Sequence, residues 1–242
     1  MDKNKVILRE KRNADFSYDE AIKTLRTNIQ FCGANIRVIM ITSTVPSEGK
    51  SNTSLEIARS LAQLGKKVIL IDADIRKSVV ESKYQMDNSV PGLSQYLSSQ
   101  CELEEAICKS DSEGIDIIFS GPYAPNPAEL MEESTLDKLL EWSRENYDYV
   151  IVDTPPLNSV IDGAIVAPKC DGVILVVASG AISYKLVQKA KTQLEKTGCR
   201  ILGAVLNKVD TGKGGYYYSK YGGYYKRYGD YYGNNPKENE AE

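Results

Sequence analysis

The chain has 242 residues, a formal net charge of -3 and no histidine. This length suits one doubly wound α/β domain with tails, and the nearly balanced charge lacks the basic footprint of a nucleic-acid-binding protein, so no nucleic-acid partner is predicted. The lack of histidine excludes histidine general bases, histidine metal ligands and Ser-His-Asp hydrolysis, so the chemistry must use Asp, Glu, Lys, Ser or Cys side chains.

The cysteines and the apolar segments indicate the compartment. Five scattered cysteines without a Cys-x-x-Cys pair predict neither a disulfide framework nor a zinc site, and favour a reducing cytosol. The first residues lack the apolar core of a signal peptide, and the longest apolar runs are too short to span a bilayer. We therefore expect a cytoplasmic protein whose membrane contact comes through a partner.

The chain opens with a helical pattern and continues as alternating strands and helices. Ser17 and Glu20 have the spacing of a capping box, followed by an amphipathic helix to about Phe31. Strands are then predicted at 37–42, 67–71, 115–118, 148–152, 172–178 and 201–206, and helices at 50–64, 134–146, 159–167 and 183–196. This alternation predicts an α/β fold with a doubly wound, mostly parallel sheet and helices on both faces.

Three regions follow from these patterns: an N-terminal segment with its helix (1–35), a domain (36–210) and a flexible tail (211–242). Residues 77–112 are less regular, and we expect short helices packed outside the sheet there. The tail has no aliphatic residue until Ala241, so it offers little to bury. It contains nine of the 16 tyrosines: Tyr216, Tyr217, Tyr218, Tyr221, Tyr224, Tyr225, Tyr228, Tyr231 and Tyr232.

A phosphate-binding loop is predicted between the first domain strand and its helix. The segment ITSTVPSEGKS has the Gly-Lys-Ser end of a P-loop, although Thr44 occupies the position of the usual first glycine. Backbone N–H groups of residues 47–51 can surround phosphate oxygens, Lys50 can reach the β and γ phosphates, and Ser51 can bind Mg²⁺. A simple turn before a helix is the alternative interpretation.

Two acidic motifs end later strands at the same edge of the predicted sheet. Asp72 and Asp74 lie two apart in VILIDADIR, so they point the same way on an extended chain. Asp153 ends the apolar strand of YVIVDTPP, where a Mg²⁺-holding aspartate is expected. Ligand sites of open α/β sheets lie at the carboxyl ends of the strands, which places the three carboxylates beside the P-loop. Solvated turn residues or helix caps are the structural alternative for each aspartate taken alone.

Taken together, these segments resemble the three Walker-type motifs of the bacterial tyrosine kinases (BY-kinases) of capsular and exopolysaccharide synthesis. The fold resembles the MinD/ParA-like group of P-loop NTPases that includes this family. The segment from Gly121 to Leu130 is also similar to a stretch typical of the kinases, and so is the tyrosine-rich tail. The likeness covers nearly the whole chain and is greatest to the cytoplasmic capsule kinases of Gram-positive bacteria.

The resemblance implies an ATP- and Mg²⁺-dependent protein-tyrosine kinase that phosphorylates its own tail in trans and regulates polysaccharide synthesis. Asp72 would be the base that accepts the tyrosine proton, Lys50 would contact the γ-phosphate, and Arg76 would help to bind phosphate. The predicted metal ligands are Ser51, Asp74 and Asp153, and the predicted nucleotide-binding residues are Ser47, Glu48, Gly49, Lys50, Ser51, Asn52 and Asn207. All nine tail tyrosines are predicted autophosphorylation sites.

The family's partners are implied in the same way. Glu20, Lys23 and Arg26 match its Glu-x-x-Arg-x-x-Arg oligomerisation motif with lysine at the middle position, which keeps the charge but loses bidentate geometry, and a solvated helix face is the alternative. We therefore expect a ring of identical subunits. A transmembrane adaptor of the polysaccharide co-polymerase type would recruit the kinase to the inner face of the plasma membrane, other proteins would supply tyrosine substrates, and a cognate tyrosine phosphatase would reverse the reaction.

Other functions fit parts of the pattern. Residues 207–210 match the Asn-Lys-x-Asp guanine-binding motif of GTPases. The companion Asp-x-x-Gly motif is not matched, because Pro156 replaces its glycine. A positioning ATPase of the MinD or ParA type shares the fold, but its second loop lysine would fall at Val45. The tail could also be an adhesive or phase-separating segment instead of a substrate.

Overall fold

The computed structural model describes residues 4–8, 16–86, 90–110 and 113–209, and within them nine strands form two sheets. The strands are β1 (Val6–Leu8), β2 (Val38–Ser43), β3 (Val68–Asp72), β4 (Tyr84–Met86), β5 (Ile107–Ser110), β6 (Ile115–Ile118), β7 (Tyr149–Asp153), β8 (Gly172–Ala178) and β9 (Ile201–Asn207). The main sheet has the order β5-β6-β3-β7-β2-β8-β9, and its neighbouring strands run parallel except β5, which is antiparallel to β6. The mostly parallel, doubly wound α/β fold predicted from the sequence is confirmed.

Helices follow the strands and cover both faces of this sheet. They are α1 (Phe16–Phe31), α2 (Lys50–Ala62), α3 (Leu93–Leu97), α4 (Leu103–Ala106), α5 (Pro127–Glu132), α6 (Ser134–Asn146), α7 (Asp162–Val166) and α8 (Tyr184–Lys196), with one-turn 3-10 helices at Glu81–Lys83 and Ala167–Lys169. Over the described residues, no helix is both long and apolar enough to cross a bilayer.

Alternate residues of each central strand enter two separate cores, one on each face of the sheet. In β2, Met40 packs with the apolar side chains of α6 and α8, whereas its neighbours Ile39 and Ile41 pack with those of α1 and α2. Successive strand residues point to opposite faces, so a strand that is apolar throughout needs helices on both sides. This burial holds the carboxyl ends of β2, β3, β7, β8 and β9 along one edge.

Residues 77–112 are more sheet-like than the sequence pattern predicts. Two short helices, α3 and α4, are present, but β5 joins the edge of the main sheet and β4 pairs with β1. In β5, Cys108 and Ser110 are buried while Lys109 is exposed. This period-two pattern spans only four residues, which is too short to distinguish a strand from a helical turn by periodicity.

Two predicted helix boundaries are wrong. The helix predicted at 159–167 is shortened to α7, because the chain first turns after Pro156, whose carbonyl oxygen accepts hydrogen bonds from the Ser159 and Val160 N–H groups at 3.1 and 3.4 Å. Ser17 lies inside α1, since the helix already includes Phe16. The prediction that Ser17 is the N-cap of this helix is therefore wrong.

Candidate active site

The loop between β2 and α2 has the backbone conformation that close approach to a phosphate requires. Ser47 and Gly49 both have positive φ angles, of 68° and 92°, and Lys50 then begins α2. A Cβ atom added to Gly49 would lie 2.1 Å from the Nδ2 atom of Asn207. The positive φ angle favours glycine at position 49, and any larger residue would also displace the Asn207 side chain. The loop ends at the start of a 13-residue helix, where backbone N–H groups and the helix dipole favour an anion.

The Glu48 side chain stabilises this loop by hydrogen bonds on its buried side. Its side chain is buried, and its Oε2 atom accepts hydrogen bonds from the Thr44 N–H (2.6 Å), the Thr44 hydroxyl (2.5 Å) and the Val45 N–H (2.8 Å). Its Oε1 atom accepts from the Ala178 N–H at the end of β8, at 2.9 Å. Glu48 was predicted to bind nucleotide. Its carboxylate joins the two ends of the loop to β8, so in this structure its side chain positions the loop, and its contact with a nucleotide stays a prediction.

We expect Glu48→Gln to raise the KM for ATP by on the order of tenfold, the factor that about 1.4 kcal/mol of lost loop stabilisation produces. Glutamine keeps the length of the side chain but directs an N–H₂ group at one of the N–H donors that the carboxylate satisfied. Steady-state kinetics with varied ATP measure the effect. Glu113→Gln alters another buried carboxylate, which accepts from the Tyr84 hydroxyl at 2.6 Å. That control should lose stability without changing the KM for ATP, and an equal rise in both variants would contradict the positioning role.

Asn207 and Lys208 hold the outer side of the same loop. The Asn207 side chain donates from Nδ2 to the Glu48 carbonyl oxygen at 2.8 Å, and Lys208 Nζ donates to the Ser47 carbonyl oxygen at 2.6 Å. The Ser179 N–H donates in turn to the Asn207 carbonyl oxygen at 2.8 Å. The ends of β8 and β9 and the loop are therefore one hydrogen-bonded unit. The contact of Asn207 with a nucleotide base stays a prediction.

Lys50 lies at the centre of the acidic groups. Its Nζ atom is 3.0 Å from Asp74 Oδ2, 3.3 Å from Asp153 Oδ2 and 3.2 Å from the Ser51 hydroxyl oxygen. Burial opposes its charge, but the carboxylates of Asp153 and Asp74 outweigh this effect, so the pKa of Lys50 is raised. The lysine therefore stays charged, and its side chain, 12% exposed, faces the cavity.

Asp72 and Asp153 lie beneath this lysine as neighbours in the sheet. They are directly paired in the register of β3 and β7, and both are fully buried. Burial, together with the charge of Asp153, raises the pKa of Asp72 to about 8. Burial also raises the pKa of Asp153, against the opposing effects of Lys50 and the hydroxyl groups of Ser51 and Ser54. Two carboxylates side by side in a buried site favour sharing a proton.

Two serines that the sequence patterns did not single out complete the acidic cluster. The Ser54 hydroxyl donates to Asp153 Oδ1 at 3.0 Å, and the Ser78 hydroxyl donates to Asp72 Oδ2. Ser54 lies four residues after Lys50 in α2, a spacing that places both side chains on one helix face. That spacing could have indicated from the sequence that Ser54 lies beside Lys50. Ser78 lies in an irregular loop, where no periodicity indicates its direction.

Arg76 is held by a residue that the sequence analysis missed. Its Nε and Nη2 atoms donate to Asp162 Oδ2 and Oδ1 at 2.7 and 2.9 Å, and Asp162, in the first turn of α7, is fully buried. Hydrogen bonding to Asp162 raises the pKa of Arg76. The pair is bidentate, which orients the guanidinium plane. Arg76 also lines the cavity, but its predicted role in binding phosphate stays a prediction.

A cavity of about 520 Å³ brings most of the predicted nucleotide residues together. It is lined by Pro46, Ser47, Gly49, Lys50, Ser51, Asn52, Asp74, Arg76, Lys77, Val79, Pro155, Pro156, Ser159, Val160 and Lys208. Four of these residues are cationic, which suits a polyphosphate. A cavity of about 600 Å³ at the opposite end of the strands, lined in part by Lys67, Trp142 and Tyr147, contains none of the predicted catalytic residues.

The residues predicted to hold Mg²⁺ are close to one another, but the lysine lies between two of them. Among the described residues, no three His, Cys, Asp or Glu side chains form a ready-made metal site. The donor set of Ser51, Asp74 and Asp153 nevertheless fits Mg²⁺, which is bound in proteins by one or two carboxylates together with substrate phosphates and water. Their role as metal ligands stays a prediction.

The predicted oligomerisation residues are on α1, away from the cavity. Glu20 and Lys23 form an exposed ion pair at 2.7 Å, and Arg26 Nη1 donates to the Ser60 carbonyl oxygen of α2 at 3.0 Å. Arg26 thus fastens α1 to the domain. The nine predicted autophosphorylation sites, Tyr216 to Tyr232, lie outside the described residues.

Comparison with known proteins identifies the family of this site. A family model described as "AAA domain" matches residues 36–200. The tyrosine-protein kinase CpsD of Streptococcus agalactiae is 42% identical over 192 residues, which cover 79% of this chain and 84% of the relative. The kinase domain of Escherichia coli tyrosine kinase ETK superposes with a TM-score of 0.78 at 36% identity, covering 83% of this chain and 79% of that domain.

A second solved structure separates the fold from the activity. The septum site-determining protein MinD of Pyrococcus horikoshii has a TM-score of 0.62, over 74% of this chain and 72% of its own, but is only 22% identical, so it shows the fold alone. The positioning-ATPase alternative therefore lacks the support that the kinase has at 42% and 36% identity. This chain belongs to the CpsD-type bacterial tyrosine-protein kinases.

Proposed function

We propose that this kinase transfers the γ-phosphoryl group of Mg-ATP to the tyrosines of its own C-terminal cluster, between subunits, and thereby regulates capsular or extracellular polysaccharide synthesis. The single observation that carries the proposal is the position of Lys50 at the N-terminus of α2. Its Nζ atom lies within 3.3 Å of Asp74, Asp153 and Ser51. A cation and an acidic metal-binding set at one helix N-terminus are the parts that phosphoryl transfer needs.

Each group has a chemical task in this proposal. The loop N–H groups from Ser47 to Ser51 bind the β and γ phosphates, and Lys50 moves from the carboxylates to the γ-phosphate. Ser51, Asp74 and Asp153 would hold Mg²⁺, which would neutralise charge on the phosphate oxygens. Loss of the Lys50 contacts leaves the acidic set available for this metal.

Asp72 is the proposed base. A tyrosine hydroxyl has a pKa near 10, so its proton must leave as the phosphoryl group arrives, and a base works best when its pKa is near the working pH. Asp72 is buried beneath Ser78 in this structure, and the Ser78 hydroxyl occupies one of its oxygens. The tyrosine hydroxyl would replace that serine hydroxyl as the donor to Asp72.

The position of β9 supports the tail as a substrate. This strand ends at Asn207, beside the P-loop, and Lys208 contacts the loop directly. The described part of the chain therefore ends, at Val209, on the same edge of the sheet as the cavity. A ring formed through Glu20, Lys23 and Arg26 would bring a neighbour's tail to this edge.

The remaining partners follow from the family. We propose a cytoplasmic kinase that a transmembrane adaptor of the polysaccharide co-polymerase type activates at the inner face of the plasma membrane. Other protein tyrosines would be further substrates, and a cognate phosphatase would reverse the modification. Each phosphate would add about -1.5 to -2 charge to the tail, and their mutual repulsion would favour opening of the ring.

A mixing experiment tests transfer to the tail. A Lys50→Met chain with an intact tail is incubated with Mg-ATP and an active chain truncated after residue 210, and phosphotyrosine is mapped by mass spectrometry. We expect phosphate on the tail of the inactive chain, because only the truncated chain can catalyse and only the intact chain offers the cluster. An unmodified tail, in a mixture whose truncated chain phosphorylates an added tyrosine peptide, would refute transfer between subunits.

A further inference from the structure

The nucleotide-sized cavity has apolar lining residues that no phosphate or metal explains. Besides its cationic residues and the P-loop, the cavity is lined by Pro155, Pro156, Val79 and Val160. Val79 is 50% exposed and Val160 is half-buried, whereas Pro156 is buried. Apolar side chains left open beside a charged site indicate a ligand with an apolar part. We call Val79, Pro156 and Val160 the apolar wall.

The wall is attached to the two buried aspartates by short, hydrogen-bonded segments. Val79 directly follows Ser78, whose hydroxyl donates to Asp72 and accepts from the Val80 N–H at 3.0 Å. Val80 is fully buried, so this turn is anchored in the core. The wall's first part therefore lies one residue from the group that covers the proposed base.

The other part of the wall follows Asp153. The Pro155 carbonyl oxygen accepts from the buried Thr42 hydroxyl at 2.9 Å, and the Pro156 carbonyl oxygen accepts from the Ser159 and Val160 N–H groups. These bonds fix the turn against the end of β2. The apolar wall is thus built from the loops after β3 and β7, and it belongs to the acidic side of the cavity.

We propose that Val79, Pro156 and Val160 hold the aromatic ring of the acceptor tyrosine. A tyrosine has an apolar ring and a polar tip, so its ring can pack on the wall while its hydroxyl points toward Asp72. The hydroxyl of a serine or threonine sits on a short side chain and has no ring for the wall to contact. The wall therefore selects tyrosine for two reasons. The tyrosine ring contacts the wall, and the longer side chain lets the hydroxyl extend toward Asp72. This inference rests on the proposed role of Asp72 as the base.

The nucleotide base is the other flat group that the wall could contact. Asn207 and Lys208, which bind the outer side of the P-loop, lie at the ends of the sheet strands on the β9 side. The wall follows β3 and β7, on the other side of β2 in the sheet order. A base bound near Asn207 leaves the wall to the acceptor.

The test separates the two ligands by measuring their affinities independently. Val79→Ala, Val160→Ala and the double variant of the full chain are assayed with Mg-ATP and a soluble peptide that contains a single tyrosine. Each substitution removes two methyl groups that would contact the tyrosine ring, so we expect the peptide KM to rise about three- to tenfold per site. The KM for ATP and equilibrium binding of ATP should not change. Ile7→Ala, which alters a 63% exposed residue of β1 outside the cavity, is the matched control and should behave as wild type.

Three outcomes overturn the inference. A fall in ATP affinity without a change in peptide KM would assign the wall to the nucleotide base. An unchanged peptide KM in the double variant would show that the ring does not contact the wall, and parallel changes in both substrates would show a general loss of site structure. Asp72→Asn, assayed beside them, tests the base separately. Retained activity in that variant would refute the proposed base while leaving the peptide comparison interpretable.

Discussion

Lys50→Met lowers tyrosine phosphorylation by on the order of 10²- to 10³-fold, the expected loss when a preorganised charge contact to the reacting group is removed. Methionine keeps much of the side chain's length but cannot bind a phosphate oxygen. The assay is the initial rate of phosphotyrosine formation on an added peptide at saturating Mg-ATP. Saturation matters because a cation that acts only in substrate binding would alter KM and leave the maximal rate intact.

The loss of this cation has a second expected consequence. The Lys50 ammonium opposes the effect of burial on the pKa of both Asp72 and Asp153, so its removal raises these pKa values further. At the same pH, the Asp72 and Asp153 carboxyls of the Lys50→Met variant should therefore be more protonated than those of the wild type. Lys66→Met replaces an exposed lysine just after α2 and is the matched control, with wild-type activity expected. A Lys50→Met chain with more than about a tenth of the wild-type maximal rate would exclude the proposed role of Lys50.

Asp72→Asn is expected to lower the rate of phosphoryl transfer by roughly 10²- to 10⁴-fold while stabilising the fold without ligands. The folded-state pKa of about 8 lies above the ordinary aspartate pKa of 3.8, so folding favours the protonated acid. The wild type therefore loses stability as the pH rises between these two values. Asparagine has no such proton to lose.

Unfolding by urea, in the presence of EDTA and without nucleotide, measures this second effect. The stability advantage of Asp72→Asn should be small near pH 4, grow toward pH 8 and then level off. Asp137→Asn changes an exposed partner of Lys169 and should show no comparable trend. A constant difference between Asp72→Asn and the wild type across the pH range would mean that the buried carboxyl does not titrate as its surroundings predict.

Local patterns were sufficient to predict the motifs and the strands that support them. The Gly-Lys-Ser end of the P-loop and the strand-end positions of Asp72, Asp74 and Asp153 are visible because each follows a continuous apolar run. The carboxyl ends of parallel strands share one edge, so the fold class alone predicts that these groups meet. The structure places Lys50 between Asp74 and Asp153 in agreement with that geometric expectation.

Short and irregular segments were predicted less well. The four-residue β5 and the start of α7 have too few residues for a reliable period. A neighbouring strand decides the conformation of β5, and a local turn delays the start of α7. β5 is a strand because β6 lies beside it, with Ile107 opposite Ile118. The loop after Asp153 is a turn because Pro156 begins it and its carbonyl is available to the following N–H groups.

The sequence by itself determined the kind of chemistry, because residue type, motif spacing and the absence of histidine leave a lysine, carboxylates and hydroxyl groups to perform it. Only the tertiary structure decided what each neighbouring group does. Glu48 turns inward to Ala178, 130 residues away, and Arg76 pairs with Asp162, 86 residues away. Such contacts depend on the order of strands in the sheet, which determines which loops become neighbours, and a local pattern of residues contains no information about that order.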